Sequence, residues 1–591
     1  MCGIHLIWGK GGSEESINGM LQQSLHRGPD QQGSFSPWPG LWLGVNRLKI
    51  LHTGAEADQP FWSPDGRFLL IWNGELYNYQ EIRNLLIQMG ITFITHSDTE
   101  VVLHTIRVFA EKGLEKLHGM FALIYVDLTE RSVLIARDKN GEKPLYYAQN
   151  PDTLIVSSEC QSILTLKNSE FETRQLAPYF FLRAPLPGNT FFKGINEWKP
   201  NQYSKLLSHS AFHWNTIPDE KKIDNKSTYE AFQETLTDAV LNQFHADVPV
   251  GIQLSGGADS SLLYALWYKE TGLPLPSYTI QVEQTYRKKY ADADFARRFV
   301  KQFPSNHKLV EIDQKIFWEN WEDYLKSVDQ PIGDSAGFLN WMIGKEAKKS
   351  VKVLISGGGA DELWGGYQRH RAFDIYQKRK ELLLRFKGIF GKIPLGRSYQ
   401  KFISAIDPSP QKTFLNFSGL ENIPEELGED YDRIFDKNLP LYPQMLDFDR
   451  QVYLVQDVLK IQDNALMAHS IEGRSPYLDA SMIALWRNVS DEKLLKGKPW
   501  IRQFLNELDL SWISERKKMG FGLPLKEWFA ENGEFAKRVF DSIKSFEKTH
   551  GQDFPERMRA LAAKPELGTK AHFLTLYNLF LLAEWVKLHK L

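Results

Sequence analysis

The chain has 591 residues, of which 42% are hydrophobic and 24% charged, values typical of a soluble globular protein. Its net charge is −2 with no block of like charge, which argues against strong electrostatic binding to nucleic acid. Two cysteines are too few for a disulfide framework, and no apolar run is long enough to span a bilayer. Because the N-terminus lacks the basic segment of a signal peptide, we expect a cytoplasmic protein. The length of the chain predicts several domains.

The first two hundred residues alternate short strand-like segments with two helical patterns. The strand-like segments are 4–8, 42–45, 68–72, 121–126 and 133–136, and the helical patterns are 79–89 and 98–112. This pattern predicts an α+β domain in which helices pack outside sheets.

Cys2 is the chemically distinctive residue of this part. Removal of Met1 would leave Cys2 with a thiol of pKa about 8.5 and a free amine of pKa about 8. Such an amine can act as general base for its own side chain at neutral pH. The alternative is that Cys2 is only a small residue at a processed terminus and has no catalytic role.

Six short motifs follow Cys2 in chain order. They are His26–Asp30, Arg47-Leu48, Gln59-Pro60, Asn73–Asn78, Ser97–Glu100 and Ala136–Asp138. Together with Cys2 they resemble the glutaminase domain of class II glutamine amidotransferases, which is of the N-terminal-nucleophile type. The resemblance implies a layered αββα fold for this domain.

The resemblance also implies a role for each matching residue. Cys2 would attack the side-chain amide of glutamine and form a thioester, while Asn73 and the Gly74 N–H would make the oxyanion hole. Arg47 would hold the α-carboxylate of glutamine and Asp98 its α-ammonium. The implied glutamine-binding set is Arg47, Asn73, Gly74, Glu75 and Asp98.

Each of these residues also has a purely structural alternative. Arg47 could form a surface ion pair, Asp98 could cap a helix, and Asn73-Gly74 could form a hairpin turn. The stretch after Arg47-Leu48 departs from the family, because Lys49–Leu51 stand where a Ser and an Asp are usual.

The second part of the chain begins near residue 210, after a Pro- and Gly-rich stretch at 183–200 and before a polar linker at 215–226. From there strand-like and helical segments alternate. The strand-like segments are 248–254, 277–280 and 351–355, and the helical segments are 260–270 and 291–302. This alternation predicts a parallel sheet covered by helices on both faces, with ligands bound at the carboxyl ends of the strands.

Two glycine loops lie at such strand ends. Ser255–Ser261 joins an apolar strand to a helix, a layout that can cradle phosphate with backbone N–H groups at a helix N-terminus. No lysine follows it as in a Walker-type phosphate loop, so it is not a loop of that type. The alternative to a phosphate cradle is a tight strand-to-helix turn with a Ser cap. Ser356–Tyr367 is the second glycine loop, and two such loops on one sheet favour a nucleotide site.

The first loop, with Met467–Asp479 and Arg516–Pro524, resembles the ATP pyrophosphatase domain of amide synthetases. With the glutaminase in front, the whole chain is similar to glutamine-hydrolysing asparagine synthetases. The resemblance implies a glutaminase domain at 1–210 and an α/β parallel-sheet synthetase domain at 211–591. It is weakest at 375–450, a helix-rich, charged stretch that we interpret as packing or an insertion.

The roles implied for the second domain concern ATP and Mg²⁺. Asp259 and Asp361 would hold Mg²⁺, which prefers carboxylates with phosphate oxygens, and Lys518 would stabilise charge in the transition state. The implied ATP-binding residues are Leu254, Ser255, Gly256, Gly257, Asp259, Ser260, Ile280, Ser356 and Gly357.

The alternatives are again structural. Asp259, Ser260 and Asp361 could be helix caps, and the basic run 516–518 could be solvated. His469 is interpreted as a packed histidine and not as a ligand.

Three positions beside the expected acceptor pocket depart from the family. Gly358 replaces a Glu that the family ties to acyl-adenylate formation, Gln330 replaces a Glu, and Gln281 replaces a Gly. Since the glutaminase and phosphate motifs are retained, we expect ammonia production and ATP cleavage to be retained. The acceptor carboxylate is left open by these three residues.

The leading hypothesis is therefore a glutamine-dependent amide synthetase that forms an acyl-adenylate, with aspartate as the default acceptor and ammonia passing through an internal channel. One alternative keeps this chemistry on another carboxylate. A second alternative is a glutaminase whose second domain is regulatory, and a third is a nucleotide-binding scaffold. The expected partners are glutamine, ATP and a carboxylate, with a homodimer as one expected assembly.

Overall fold

In a computed structural model, the chain is described over residues 2–209, 212–218, 227–391, 393, 396–517 and 520–591. The strands up to residue 216 are β1 (Cys2–Gly9), β2 (Gln31–Trp38), β3 (Leu41–Arg47), β4 (Phe61–Trp62), β5 (Phe68–Leu76), β6 (Gly119–Asp127), β7 (Ser132–Arg137), β8 (Tyr146–Asn150), β9 (Thr153–Ser157), β10 (Asn196–Glu197), β11 (Gln202–Leu206) and β12 (Asn215–Thr216). The helices are α1 (Glu14–Gln23), α2 (Tyr79–Gln88), α3 (Asp98–Phe109), α4 (Cys160–Leu164) and α5 (Leu176–Leu182).

These strands form two antiparallel six-stranded sheets, in the orders β10-β8-β9-β1-β3-β2 and β12-β11-β7-β6-β5-β4. Side chains alternate between the two faces of each strand. Leu6 of β1 and Ile71 of β5 pack between the sheets, whereas Ile7 packs against α1 and Leu70 against α2 and α3. The layers are therefore helix, sheet, sheet, helix, as the αββα prediction requires.

The remaining strands are β13 (Val250–Gln253), β14 (Pro276–Val282), β15 (Asn306–Ile312), β16 (Val353–Ile355) and β17 (Glu472–Arg474). The helices are α6 (Tyr229–Phe244), α7 (Ala258–Thr271), α8 (Asp292–Gln302), α9 (Gln314–Lys326), α10 (Ala336–Ala347), α11 (Ala360–Trp364), α12 (Gln368–Phe390), α13 (Arg397–Ala405), α14 (Pro410–Ser418), α15 (Gly428–Asp432), α16 (Leu441–Asp449), α17 (Lys460–Met467), α18 (Ala480–Arg487), α19 (Pro499–Glu507), α20 (Ser511–Ser514), α21 (Leu525–Ala530), α22 (Glu534–His550), α23 (Glu556–Ala563) and α24 (Phe573–His589).

The second part is built on one parallel sheet in the order β15-β14-β13-β16-β17. Leu354 of β16 packs into one helical layer, and its neighbours Val353 and Ile355 pack into the other. Helices thus cover both faces of this sheet, as predicted. The three-residue strand β17, inside the Met467–Asp479 motif, was not predicted because it is too short to show a period.

The charged stretch 375–450 contributes to the core of the second part. Tyr376, Phe414, Tyr431 and Phe448 are buried there in the same apolar cluster as Ile252 of β13. Of the two interpretations of this stretch, packing is therefore the one that the structure supports. Among the helices that the structure describes, none is long and apolar enough to cross a membrane.

Candidate active sites

Cys2 starts the central strand β1 and lies against Asn73 of the second sheet. The backbone N–H of Cys2 donates to Oδ1 of Asn73 at 2.8 Å. Burial raises the pKa of the Cys2 thiol, whose residue is 4% exposed. Nδ2 of Asn73 is buried and has no hydrogen-bond partner among the described residues. An unused amide donor next to a thiol is the group that a developing oxyanion requires.

Asn73 and Gly74 lie within β5, so the hairpin-turn alternative is wrong. A Cβ on Gly74 would lie 2.4 Å from the Met120 carbonyl oxygen and 2.8 Å from side-chain atoms of Phe121 and Trp72. Glycine is needed here because the β6 backbone approaches β5 too closely for any side chain.

Arg47 is the register partner of Cys2 across β1 and β3. Its guanidinium donates from Nη1 to Oδ1 of Asp58 at 2.8 Å and from Nη2 to the His52 carbonyl oxygen at 2.8 Å. Arg47 is 3% exposed and the side chain of Asp58 is 30% exposed, so the two form a partly buried ion pair and not a surface pair. A planar donor fork thus lies beside the thiol.

Asp98 is the first residue of α3, and the cap is its neighbour Ser97, whose side chain accepts from the Thr99 N–H. Oδ2 of Asp98 accepts from the Leu76 N–H at 3.1 Å, which places the carboxylate at the end of β5. Burial raises the pKa of this carboxyl group.

Glu75, the third residue of the Asn73–Asn78 motif, faces the second half of the chain. Its Oε2 lies 3.1 Å from Nη2 of Arg474 on β17. Burial raises the pKa of Glu75 well above its usual range, although the Arg474 charge opposes this. Arg474 also pairs with Glu472 at 2.6 Å. These contacts join β5 to the parallel sheet.

The loop after β13 is fixed by a close backbone contact and by two serine hydroxyl groups. Gly256 has φ +63°, and a Cβ there would lie 2.7 Å from the Ala296 nitrogen. Oγ of Ser255 accepts from the Gly257 N–H at 3.2 Å, and Oγ of Ser260 accepts from the Ser255 N–H at 3.2 Å. The N-cap of α7 is Gly257 without a side-chain cap, so the Ser-cap alternative is wrong.

Asp259 and Asp361 converge on one point. Nζ of Lys498 lies 2.8 Å from both oxygens of Asp259 and 2.5 Å from Oδ1 of Asp361. Burial lowers the pKa of Lys498, but the two carboxylates outweigh it and raise the pKa to about 12. The caps of α7 and α11 are glycines, so the capping alternatives for both aspartates are wrong.

This geometry suits Mg²⁺, which binds one or two carboxylates together with substrate phosphates. Among the described residues no group of three or more acidic, His or Cys side chains could hold a metal by itself. Lys498 was missed by sequence reasoning. It lies 239 residues from Asp259, and no local pattern links the two.

The other predicted ATP residues line the same strand ends. The Leu254 N–H donates to the Tyr278 carbonyl oxygen at 2.9 Å, and Ile280 of β14 is 8% exposed. A Cβ on Gly357 would lie 2.9 Å from Cβ of Asp259, so the two glycine loops touch. Neighbouring parallel strands β13 and β16 bring them together.

Arg516 packs against the first loop. Its Nη1 donates to the Gly256 carbonyl oxygen at 2.8 Å, and its Nη2 donates to Asp292. With its side chain 8% exposed, Arg516 is not part of a solvated run. Lys518, the predicted charge stabiliser, lies outside the described residues.

The three departures lie in different surroundings. A Cβ on Gly358 would meet Oγ of Ser475 at 3.2 Å, Oγ of Ser356 and Oε1 of Gln462. The side chain of Gln330 accepts from the Phe191 N–H at 3.0 Å. The side chain of Gln281 donates to Glu311 at 3.0 Å. Gly358 is thus the departure that lies within the second glycine loop.

His469 packs 4.7 Å from the Trp341 ring, and burial lowers its pKa to about 4, which fits a packed histidine.

The fold and both sites define a two-centre protein, with an N-terminal cysteine in a layered αββα half and paired glycine loops on a parallel sheet. The sequence profile described as "Glutamine amidotransferase domain" matches residues 1–213, and the profile described as "Asparagine synthase" matches residues 231–587. Since the second profile covers more than half of the chain, this chain belongs to the asparagine synthase family.

Relatives match over most of the chain. Asparagine synthetase [glutamine-hydrolyzing] 1 of Bacillus subtilis strain 168 is 28% identical, over 91% of this chain and 90% of its own length. A putative asparagine synthetase [glutamine-hydrolyzing] of Mycobacterium tuberculosis is 27% identical, over 95% and 91%. Amidase chyE of Penicillium rubens is 28% identical, over 85% and 84%.

Proposed function

We propose that this chain is an ATP-dependent amide synthetase that takes ammonia from glutamine at Cys2 and delivers it to a carboxylate activated at the two glycine loops. The observation that carries the proposal is the convergence of Asp259 and Asp361 on one point beside these loops. Two carboxylates beside the glycine loops favour a catalytic second domain. They therefore argue against the two alternatives in which the second domain is only regulatory or the chain is a nucleotide-binding scaffold.

At the glutaminase centre, the Cys2 thiol would attack the glutamine amide carbon, and its own amine, freed by removal of Met1, would take the proton. Nδ2 of Asn73 would then donate to the oxyanion, together with the Gly74 N–H. Arg47 and Asp98 would hold the two ends of the amino acid, with Glu75 beside them.

At the synthetase centre, Ser255–Ser260 would cradle the phosphates through backbone N–H groups. Leu254, Ile280, Ser356 and Gly357 would surround the AMP moiety. Asp259 and Asp361 would hold Mg²⁺, which neutralises phosphate charge when bound. Lys498 would have to leave the point between the two carboxylates, and Lys518 would stabilise charge that develops on the adenylate.

Further parts of the proposal are a domain boundary near residue 210, a cytoplasmic location, a homodimeric assembly and no nucleic-acid partner. Aspartate is the default acceptor, and the names of the curated asparagine synthetases support it. A second candidate is the same chemistry on a different carboxylate. It is favoured by Gly358, where the three atoms nearest to the position of the missing side chain belong to the neutral polar residues Ser475, Ser356 and Gln462.

The test is a scan of ATP–pyrophosphate exchange across carboxylates with the full chain, combined with a Cys2→Ala variant. Exchange with aspartate supports the default acceptor, and exchange with a different carboxylate supports the second candidate. We expect Cys2→Ala to abolish glutamine-dependent AMP formation and to retain ammonia-dependent AMP formation. Loss of both in a variant that still folds would contradict the two-centre proposal.

A further inference from the structure

Arg47 and Lys49 share one carboxylate, that of Asp58. Oδ1 of Asp58 lies 2.8 Å from Nη1 of Arg47 and 2.8 Å from Nζ of Lys49. Two cations thus meet at a single oxygen atom. Lys49 belongs to the stretch that departs from the family, and the proposed reaction gives neither Lys49 nor Asp58 a role.

All four N–H bonds on the η nitrogens of Arg47 are in use. Nη1 donates to Asp58 at 2.8 Å and to the Gly54 carbonyl oxygen at 3.4 Å. Nη2 donates to the carbonyl oxygens of His52 at 2.8 Å and Leu51 at 3.4 Å. A carboxylate that binds to the η nitrogens must therefore displace one of these four acceptors.

Asp58 is the acceptor that can leave. The other three acceptors are backbone carbonyl oxygens, whereas Asp58 contributes a side chain that is 30% exposed. Because this side chain reaches solvent, it can turn away without movement of the main chain. An incoming carboxylate brings the same charge and the same two acceptor oxygens. Exchange of one carboxylate for the other keeps both cations paired.

Lys49 is fixed beside this point by its backbone. Its N–H donates to Oδ2 of Asp30 at 2.9 Å, and Asp30 in turn pairs with Lys352 at 2.8 Å. The side chain of Lys49 is 17% exposed, so its charge is only partly screened by solvent. Lys49 therefore stays near Arg47 when Asp58 leaves, and it offers a second positive charge to a carboxylate bound there.

We propose that Lys49 is a second binding residue for the α-carboxylate of glutamine, and that Asp58 occupies this position until glutamine displaces it. The inference rests on the proposed function, in which Arg47 holds that carboxylate. Arg47 is the register partner of Cys2, so the position lies next to the nucleophile. An internal carboxylate that competes with the substrate lowers the apparent affinity by the fraction of molecules in which the site is free.

The test measures KM for glutamine from the glutamate released by the full chain. We expect Asp58→Asn to lower KM about threefold or more, which corresponds to a wild-type site that is free in about one third of the molecules or fewer. Asparagine keeps the shape of Asp58 but loses the charge that holds it to two cations. The inhibition constant of L-glutamate should fall by a similar factor, because glutamate carries the same α-carboxylate. Loss of a purely structural contact would not tighten binding.

Lys49 pairs with both carboxylates in turn, so its contribution to glutamine binding is measured where Asp58 is absent. We expect Lys49→Met, added to Asp58→Asn, to raise KM about fivefold or more relative to Asp58→Asn alone, since a charge-assisted hydrogen bond to the substrate is lost. The matched control is Glu56→Gln. Glu56 is an exposed carboxylate of the same segment that pairs with His52, and its substitution should leave KM unchanged.

An unchanged or raised KM in Asp58→Asn overturns the role of Asp58, and Asp58→Ala is judged by the same criterion if Asp58→Asn does not fold. A double variant whose KM equals that of Asp58→Asn overturns the role of Lys49. A wild-type chain that releases no glutamate from glutamine instead refutes the proposed function, and this inference with it.

Discussion

Lys498 shows how one residue can hold two carboxylates together. Its ammonium group occupies the point between Asp259 and Asp361, so one positive charge offsets part of the repulsion between two partly buried carboxylates. Lys498 is held there by its own backbone, which is left-handed at φ 61° and donates to the Trp364 carbonyl oxygen at 3.0 Å. Bringing two carboxylates together without a cation would cost free energy through their mutual repulsion.

We therefore expect Lys498→Met to lower the free energy of unfolding by about 2 kcal/mol without Mg²⁺, since it leaves a partly buried carboxylate pair uncompensated. Mg²⁺ with ATP should restore more stability in this variant than in the wild type, because the metal would replace the lost charge. Thermal melting with and without MgATP measures both effects.

The control is Lys496→Met, which removes a nearby lysine paired with Asp374 and Glu492 and not with the two aspartates. Its melting temperature should respond to MgATP as the wild type does. Equal responses of Lys498→Met and Lys496→Met would show that Lys498 does not occupy a metal position.

At the scale of elements, the strand β5 both positions a predicted catalytic residue and packs closely against its neighbour β6. It presents Asn73 to Cys2, and its pairing with β6 depends on a glycine at 74. A glycine in the middle of a strand is unfavourable unless the neighbouring backbone requires it. Here the Met120 carbonyl oxygen lies where a side chain would begin.

We expect Gly74→Ala to destabilise the chain by about 2 kcal/mol, because the added methyl group forces β5 and β6 apart. Glutaminase activity should fall with it, since Asn73 moves with the strand. Denaturant unfolding and glutamate release measure the two consequences.

Gly19→Ala is the matched control. Gly19 lies within α1, and a Cβ there has no atom within 4 Å. Alanine should stabilise this helix by about 0.5–1 kcal/mol. Destabilisation of similar size by both substitutions would argue that the effect at Gly74 is not steric.

The helical segment 441–467 is the element that connects the parts. It runs from α16 through a π-helical stretch, Arg450–Leu459, into α17. Along it Lys460 pairs with Glu197 at 3.0 Å, Gln462 contacts Ser356, and Asp463 pairs with Arg27. This helical segment thus contacts both the glutaminase half and the second glycine loop.

At the scale of the whole molecule, buried carboxylates with charged partners lie where the two halves meet, and the pairs Glu197–Lys460 and Arg27–Asp463 cross between the halves. Burial opposes the ionisation of Glu197, but Lys460 and Arg137 together hold its pKa down to about 2. Burial likewise opposes ionisation of Glu159, and His26 and Arg27 hold its pKa down to about 2. Removal of one member of such a group leaves an uncompensated buried charge.

The pH dependence follows from these lowered values. An unfolded glutamate has a pKa near 4.5, so the unfolded chain takes up protons before the folded chain does. The stability from these groups is present above about pH 4.5 and is lost as the pH falls toward 2. We expect the free energy of unfolding to drop between pH 5 and pH 3, and urea titrations at each pH measure it.

Glu197→Gln should reduce stability at pH 7 by about 3 kcal/mol and should also weaken this acid dependence, because the titrating group is gone. Glu170→Gln, an exposed carboxylate paired with Lys193, should change neither quantity noticeably. An unchanged slope of stability against pH in Glu197→Gln would contradict the assignment of the effect to this carboxylate.

The sequence by itself determined the elements and the order of the motifs. The strand, glycine turn and helix at Ser255–Ser261, and the apolar runs of β1 and β5, are set by residues close in the chain, so local sequence patterns indicate them directly. The αββα layers and the parallel sheet could be predicted from these patterns and from the family resemblance.

Only the tertiary structure decided which charges meet. Lys498 between Asp259 and Asp361, Arg474 against Glu75, and Lys460 against Glu197 all join residues far apart in the chain. The sequence does not distinguish a buried lysine or glutamate from an exposed one, because the partner, burial and pKa of such a residue depend on the packing of elements distant in the chain.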